Sequence, residues 1–210
     1  RILLAACILS TLTSVNGIDE PVFKVPPVAT NVTINAVDAE NRSQATLAKV
    51  YLVCYANDID RSDLYLLAIS AINQGYHLNI IGTWRKDFYN TIGTMDKLWA
   101  LQDFVSAIPR NSSTPTVVVF VDAFTTLLIR DPKTLLRKFL SSGKKIIFPA
   151  QKSCCSTQRL GVDPSHCDID WPIPEEDSHR PFMSAAGMVG LVAEVSALVS
   201  AAVDYAMVAW

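Results

Sequence analysis

The chain has 210 residues, half of them apolar, and a formal net charge of −2. That length and composition can bury one substantial core, so one main domain is expected. The near-balanced charge and the lack of a long basic block argue against nucleic acid as the main partner.

Arg1 followed by the apolar run Ile2–Leu12 has the layout of a secretory signal, with Val15 and Gly17 as small residues before a cleavage point. Residues 1–17 are therefore expected to be a signal peptide, with a buried first strand or helix as the alternative. The run is too short to predict a membrane-spanning helix. Residues 18–48, rich in Pro, Asn, Val and Ala without helical period, read as an extended leader. The sequons at Asn31, Asn41 and Asn111 are expected in loops and nominate those residues as glycan acceptors. Together with the signal they point to the endoplasmic reticulum, the Golgi, the cell surface or the exterior.

From Lys49 the pattern becomes regular, and residues 49–210 are expected to form the domain. Lys49–Ala56 reads as a strand. Asp60 or Ser62 can cap a helix carrying Leu64, Leu67, Ala68, Ala71 and Ile72 inward, with Gly75 ending it. Tyr76–Gly82 is a second strand. A helix over about Met95–Ile108 turns Leu98, Leu101, Val105 and Ile108 inward and stops at Pro109. Thr116–Val121 is an unbroken apolar run of the kind found in doubly buried strands. Asp131-Pro132 opens a further helix with Leu135, Leu136 and Phe139 inward, and Gly143 terminates it. Lys145–Pro149 is a short strand. Strand–helix alternation at this rhythm predicts an α/β fold with a mostly parallel sheet flanked by helices.

Cys54 falls within the first strand as a small buried hydrophobe. Residues 150–181 read as a long loop holding Cys154, Cys155 and Cys167, acids from Asp168 to Asp177, and Trp171. In an oxidising compartment a disulfide from Cys167 to Cys154 or Cys155 is expected. Zinc ligation with His166 is the alternative, although vicinal cysteines do not match the usual spacing. The apolar stretch Ala185–Trp210 is expected as a strand plus a docking helix rather than a membrane anchor, because Glu194 and Asp204 interrupt it.

Asp122 ends the Thr116–Val121 run, and ligands in open α/β sheets sit beyond the carboxyl ends of such strands. It is either a ligand for metal or phosphate or the cap of the following turn. No Gly-rich phosphate loop, Ser-His-Asp arrangement or His-Glu-x-x-His pattern is present.

Phe120-Val121-Asp122-Ala123-Phe124-Thr125 resembles the Asp-Ser-Tyr-Asp motif in the glycosyltransferase domain of procollagen lysyl hydroxylases. Lys49–Asp58, then Tyr76–Trp84 with Met95-Asp96-Lys97, then Phe182–Leu191 resemble further blocks of that domain in matching order. Secreted trypanosome glycoproteins of the expression-site-associated type are similar to the same domain. The resemblance implies a GT-A-like nucleotide-sugar transferase fold. The family's later acidic cluster and histidine would fall beyond Trp210, so the chain is expected to be a C-terminally incomplete fragment.

The resemblance implies nucleotide contacts at Cys54, Tyr55, Ala56, Asp58, Lys97, Ala123 and Phe124, with Tyr55 stacking on the base, Asp58 on ribose and Lys97 on the diphosphate. Core packing of Tyr55 and a surface position for Lys97 are the plain alternatives. It implies a metal site at Asp122 and Thr125. Thr125 stands where the family has its second acid, and a neutral hydroxyl there predicts weak manganese binding. Ser184-Ala185-Ala186 replaces Ser-Gly-Gly, adding methyl groups near the ligand. Two functions follow as expectations. One is a secretory-pathway enzyme moving a hexose from a UDP-sugar to a protein or glycan acceptor, and the other is an inactive glycoprotein that keeps the fold.

Overall fold

The computed structural model describes residues 26–37, 43–83, 93–110, 114–151, 182–184 and 186–208. Its centre is a parallel pair, β2 (Ser43–Tyr55) and β4 (Thr116–Asp122), in register from Lys49 beside Thr116 to Tyr55 beside Asp122. Both faces of this pair are covered. Hence the residues of β4 from Thr116 to Val121 are all buried, as an unbroken apolar strand requires.

The other edge of β2 is divided between two partners. β1 (Thr30–Val37) pairs antiparallel with its first half, and β3 (Leu78–Ile81) pairs parallel with Leu52–Tyr55. Asn79 spans the junction: its amide nitrogen donates to the carbonyls of Val28 (3.0 Å) and Leu52 (2.9 Å), and its amide oxygen accepts from the Val28 N–H at 2.8 Å. On the far side of β4 lies β8 (Gly187–Leu191), antiparallel to it, and then β5 (Ile146–Ile147), antiparallel to β8. The sheet is thus parallel at its centre and antiparallel on its flanks. A separate short ladder joins β6 (Ala150–Gln151) to β7 (Phe182–Met183).

Strand alternation sorts the core into two layers. Val50, Leu52 and Cys54 of β2 with Val117, Val119 and Val121 of β4 pack against α1 (Ser62–Asn73) and α3 (Pro132–Ser141). Tyr51 and Val53 with Val118 and Phe120 pack against α2 (Gly93–Ala107) and α4 (Val192–Val208). The path runs outward from β2 through α1 to β3, then back over the opposite face through α2 to β4. α2 and α4 also meet each other, and just past the end of α2 the Arg110 guanidinium donates to the Ser196 hydroxyl of α4 at 2.7 Å.

Most expected elements are present, with informative differences. β1 lies inside the expected leader and adds Val32 and Ile34 to the core, and β2 starts before Lys49. Asn31 was expected in a loop, but it lies in β1, with its side chain exposed. The N-cap of α1 is Arg61, without a side-chain cap, rather than Asp60 or Ser62. Ile72 does not face inward; it is 71% exposed, because it falls about 100° round the helix from Ala71. Gly75 and Gly143 take positive φ at the ends of α1 and α3, and Asp131 caps α3 by accepting from the Thr134 N–H at 2.8 Å. The C-terminal stretch forms β8 and α4, with Val195, Val199, Ala202 and Val203 buried. Among the described residues no helix is long and apolar enough to cross a membrane. Residues 1–17, Asn41, Asn111, Trp171 and the cysteines at 154, 155 and 167 lie outside the described residues.

Candidate functional site

The carboxyl ends of β2 and β4 lie side by side, and the residues that end them, Tyr55 and Asp122, are register partners. By alternation Asp122 shares a face with Phe120, the face covered by α2. Lys97, in the first turns of α2, brings its ammonium to 5.0 Å from the Phe120 ring centre. Tyr55, Asp122 and Lys97, spread over more than sixty positions, therefore lie on one face at the carboxyl ends of the central strands, where an open α/β sheet has its ligand crevice.

Asp122 is held tightly. Its Oδ1 accepts from the N–H groups of Phe124 and Thr125, both at 3.0 Å, and from the Thr125 hydroxyl at 2.8 Å. Its own N–H donates to the Ala186 carbonyl at 2.8 Å. The turn-cap reading of Asp122 is therefore realised in the structure, and Thr125 lies beside it as a hydrogen-bond donor. Opposite it, the Ser184 hydroxyl accepts from the Ala186 N–H at 3.2 Å.

Tyr55 is positioned by Gly82. Gly82 has φ 90°, and a Cβ there would overlap the Tyr55 ring, so the glycine both makes the turn after β3 and receives the aromatic ring. The ring remains partly exposed while packing on the α2 side of the core. Cys54 and Ala56 are fully buried, and the Ala56 N–H donates to the Ile81 carbonyl at 2.9 Å. Cys54 faces the α1 side, so it supplies strand packing rather than a side chain to the crevice. Asp58 is a turn residue whose Oδ1 accepts from the Asp60 N–H at 3.0 Å. Ala123 is buried, and Phe124 carries the Arg61 guanidinium over its ring at 3.9 Å.

Two contacts were not read from the sequence. Arg61 joins the loop after β2 to the loop after β4 through Phe124 and is itself paired with Asp63 at 2.7 Å. The Ser70 hydroxyl donates to the Leu67 carbonyl at 2.8 Å and accepts from the Leu128 N–H at 3.1 Å, fastening the segment after Asp122 to α1. Neither carries a local sequence signal, because each joins segments far apart in the sequence.

The electrostatics separate Cys54, on the α1 face, from Lys97, on the α2 face. Burial, then the nearby Asp122 carboxylate, push the Cys54 thiol up to about 12, while Lys97 acts the other way. Cys54 is thus a neutral thiol, unsuited to nucleophilic work. Burial lowers the Lys97 ammonium from its ordinary value, while Asp122 and then Cys54 act to raise it.

Among the described residues the oxygen donors Asp122 and Thr125 do not by themselves fill the coordination shell of a divalent metal. Asp122 is one carboxylate with one oxygen committed to the turn, and the Thr125 hydroxyl donates its hydrogen bond to that same oxygen. Among the described residues no group of three His, Cys, Asp or Glu side chains could hold a metal ion. A manganese ion held here would take its remaining oxygen ligands from water or from a bound phosphate.

The family model of the PLOD GT domain matches residues 50–205, from within β2 to near the end of α4. The chain belongs to this family. Its PLOD GT domain is therefore glycosyltransferase-like, and the α/β sheet flanked by helices is consistent with a GT-A-like fold. A curated relative is the human protein named multifunctional procollagen lysine hydroxylase and glycosyltransferase LH3, 25% identical over 118 residues. That match covers 55% of this chain and 14% of the relative; the protein of the same name from Pongo abelii matches to the same extent. Residues 30–37, which add β1 to the sheet, lie outside the matched span.

Proposed function

We propose that this PLOD GT domain binds a UDP-sugar across the carboxyl ends of β2 and β4 and transfers its hexose to a protein or glycan acceptor in the secretory pathway. The observation that supports this reading best is the convergence of Tyr55, Asp122 and Lys97 on one crevice within the family-matched span. Tyr55 borders the nucleotide with its partly exposed ring, Lys97 supplies positive charge for the diphosphate, and Asp58, Ala123 and Phe124 line the two loops that flank it. Ala56 shapes the β2 loop through its backbone, and Cys54 supports the strand from the core. Asp122 and Thr125 hold manganese weakly, through the carboxylate oxygen that the turn leaves over. The chain's own contribution is to place the donor and orient its diphosphate, and no reaction step follows from these residues alone.

The placement in the endoplasmic reticulum, the Golgi, the cell surface or the exterior rests on the signal-like residues 1–17, on glycan acceptors at Asn31, Asn41 and Asn111, and on a bridge from Cys167 to Cys154 or Cys155. Residues 18–48 then precede the family-matched domain in the mature chain, with β1 as an added strand.

A second reading is favoured by one observation. The Asp122 carboxylate is occupied by three donors of its own turn, as in a purely structural role. On that reading the protein is a secreted or surface glycoprotein that keeps the fold without catalysis. Calorimetric titration of the full protein with UDP, alongside release of UDP from UDP-hexoses, separates the two. Saturable UDP binding with turnover supports the transferase, and no binding with or without manganese leaves the inactive glycoprotein.

A further inference from the structure

We propose that the outward face of α1 is a homodimer interface, on which two copies of this chain pair α1 against α1 in antiparallel fashion about a two-fold axis. The inference stands apart from the transferase reading.

α1 is apolar on both of its faces. Leu64, Leu67 and Ala71 are buried towards the sheet, while Tyr65, Leu66, Ile69 and Ile72 point away from it. A helix with one face on a sheet ordinarily turns polar residues to water, and a helix that is apolar all round has its second face covered as well. The patch continues beyond the helix. On the flank of α1 the Ser70 hydroxyl accepts from the Leu128 N–H at 3.1 Å, which fastens the segment after Asp122 there. Leu128 packs on the core, and its neighbours Leu127 and Ile129 turn outward. These six outward side chains belong to residues 55–76% exposed, which together present roughly 700 Å², more than the largest patch on an ordinary monomer and close to the ~800 Å² that each partner gives to a standard interface.

The rim identifies the occupant. At the start of α1 the acids Asp58, Asp60 and Asp63 outnumber Arg61. At its other end Tyr76 follows the helix, with its hydroxyl pushed up by burial and then by the nearby Asp131 carboxylate. There Arg130 and Lys133, both exposed, outnumber Asp131. A two-fold axis in the plane of this face can run along α1, which sets like ends together. It can also run across α1, which sets each acidic end on the partner's basic end. Charge complementarity selects the second arrangement. It puts Tyr65 of one copy opposite Ile72 of the other, with Ile69 near the axis. The acids at one end of the patch also oppose an anionic lipid surface, which would suit a basic rim alone.

The test is sedimentation velocity of the full protein over a dilution series, with flotation on anionic vesicles as a separate run. The expected result is a reversible dimer whose melting temperature rises with protein concentration. Ile69→Glu should raise the dimer dissociation constant at least about a hundredfold, because two carboxylates would be buried near the axis, and should remove the concentration dependence of melting. Orientation is read from single cysteines: under mild oxidation, Tyr65→Cys and Ile72→Cys proteins mixed together should link to each other rather than each to itself. A natural protein that is monomeric at every concentration overturns the proposal, and so does a dimer that Ile69→Glu leaves intact. Self-linking of each cysteine variant overturns it too, and a monomer that floats with the vesicles assigns the face to a membrane instead. If Ile69→Glu fails to fold, the dilution series and the cysteine links still decide the matter.

Discussion

Cys54 and Asp122 sit at adjacent strand ends yet do different work. The Cys54 thiol is raised from 9.0 to about 12, so the folded chain keeps a proton that the unfolded chain releases. Its contribution to stability is complete below about pH 9 and is lost as the pH rises from there towards 12. Cys54→Ala should therefore give a flatter decline of unfolding free energy than the natural protein between about pH 9 and 11, measured by denaturant titration at stepped pH. A parallel decline in both proteins would show that other groups set the alkaline limit. At Asp122 the decisive neighbour is Thr125. Thr125→Asp removes a hydrogen bond of 2.8 Å and sets a second carboxylate beside the first. Without metal this should cost about 1–2 kcal/mol, and added manganese should restore the melting temperature. Equal melting with and without manganese would mean that a second acid is not enough to build a metal site there. The sequence reads Cys54 as a small buried hydrophobe, and it is buried. The commitment of Asp122 to its own turn depends on donors at Phe124 and Thr125, which left the ligand and cap readings equally open until the turn was seen.

At the scale of elements, two glycines fix how the layers meet. Gly190 in β8 leaves room where a Cβ would come within 2.7 Å of Val195 Cγ2, 3.0 Å of Ile146 Cγ1 and 3.2 Å of the Lys145 carbonyl. Gly190→Ala should destabilise by about 1–3 kcal/mol, the range of overpacking in a filled core, read as a lower denaturation midpoint. Gly82→Ala meets both a left-handed backbone and the Tyr55 ring, so it should displace that ring and weaken UDP along with stability. UDP affinity unchanged in a folded Gly82→Ala protein would count against Tyr55 as a wall of the crevice. The sequence revealed the strands and helices well wherever periodicity was strong: β4, α2, α3 and the β8–α4 pair lie close to where their patterns put them. It was weaker at Ile72, whose apolar side chain suggested burial while the helical angle turned it to solvent. The meeting of Lys97 with Phe120 was not readable from spacing, because it is made by α2 crossing back over the sheet. Resemblance to family motifs placed Lys97 near the site; periodicity did not.

The whole molecule depends on a strand that the leader reading of residues 18–48 passes over. Residues 30–37 do alternate, Asn31, Thr33 and Asn35 with Val32, Ile34 and Ala36, but the Pro-, Asn- and Ala-rich composition of residues 18–48 leads to a leader reading. In the folded chain they form β1, which bonds along β2 from Ser43 to Val50 and places Val32 and Ile34, 5% and 8% exposed, in the core beneath α3. At the end of β1, the His77 N–H donates to the Thr30 hydroxyl at 2.9 Å, so the strand also ties down the entry to β3 and, through it, the Gly82 turn that carries Tyr55. A protein begun at Lys49 would lose both buried side chains, each worth about 1.5–3 kcal/mol, and would expose the free edge of β2 to other chains. Relative to a protein begun at Pro26, it should unfold at a lower denaturant concentration and form larger assemblies in sedimentation velocity. If it still folds, its UDP affinity should fall, because β3 and the Tyr55 turn lose their anchor at Thr30. Equal midpoint, equal sedimentation and equal UDP affinity would instead confine the working domain to the family-matched span, with β1 an accessory to it.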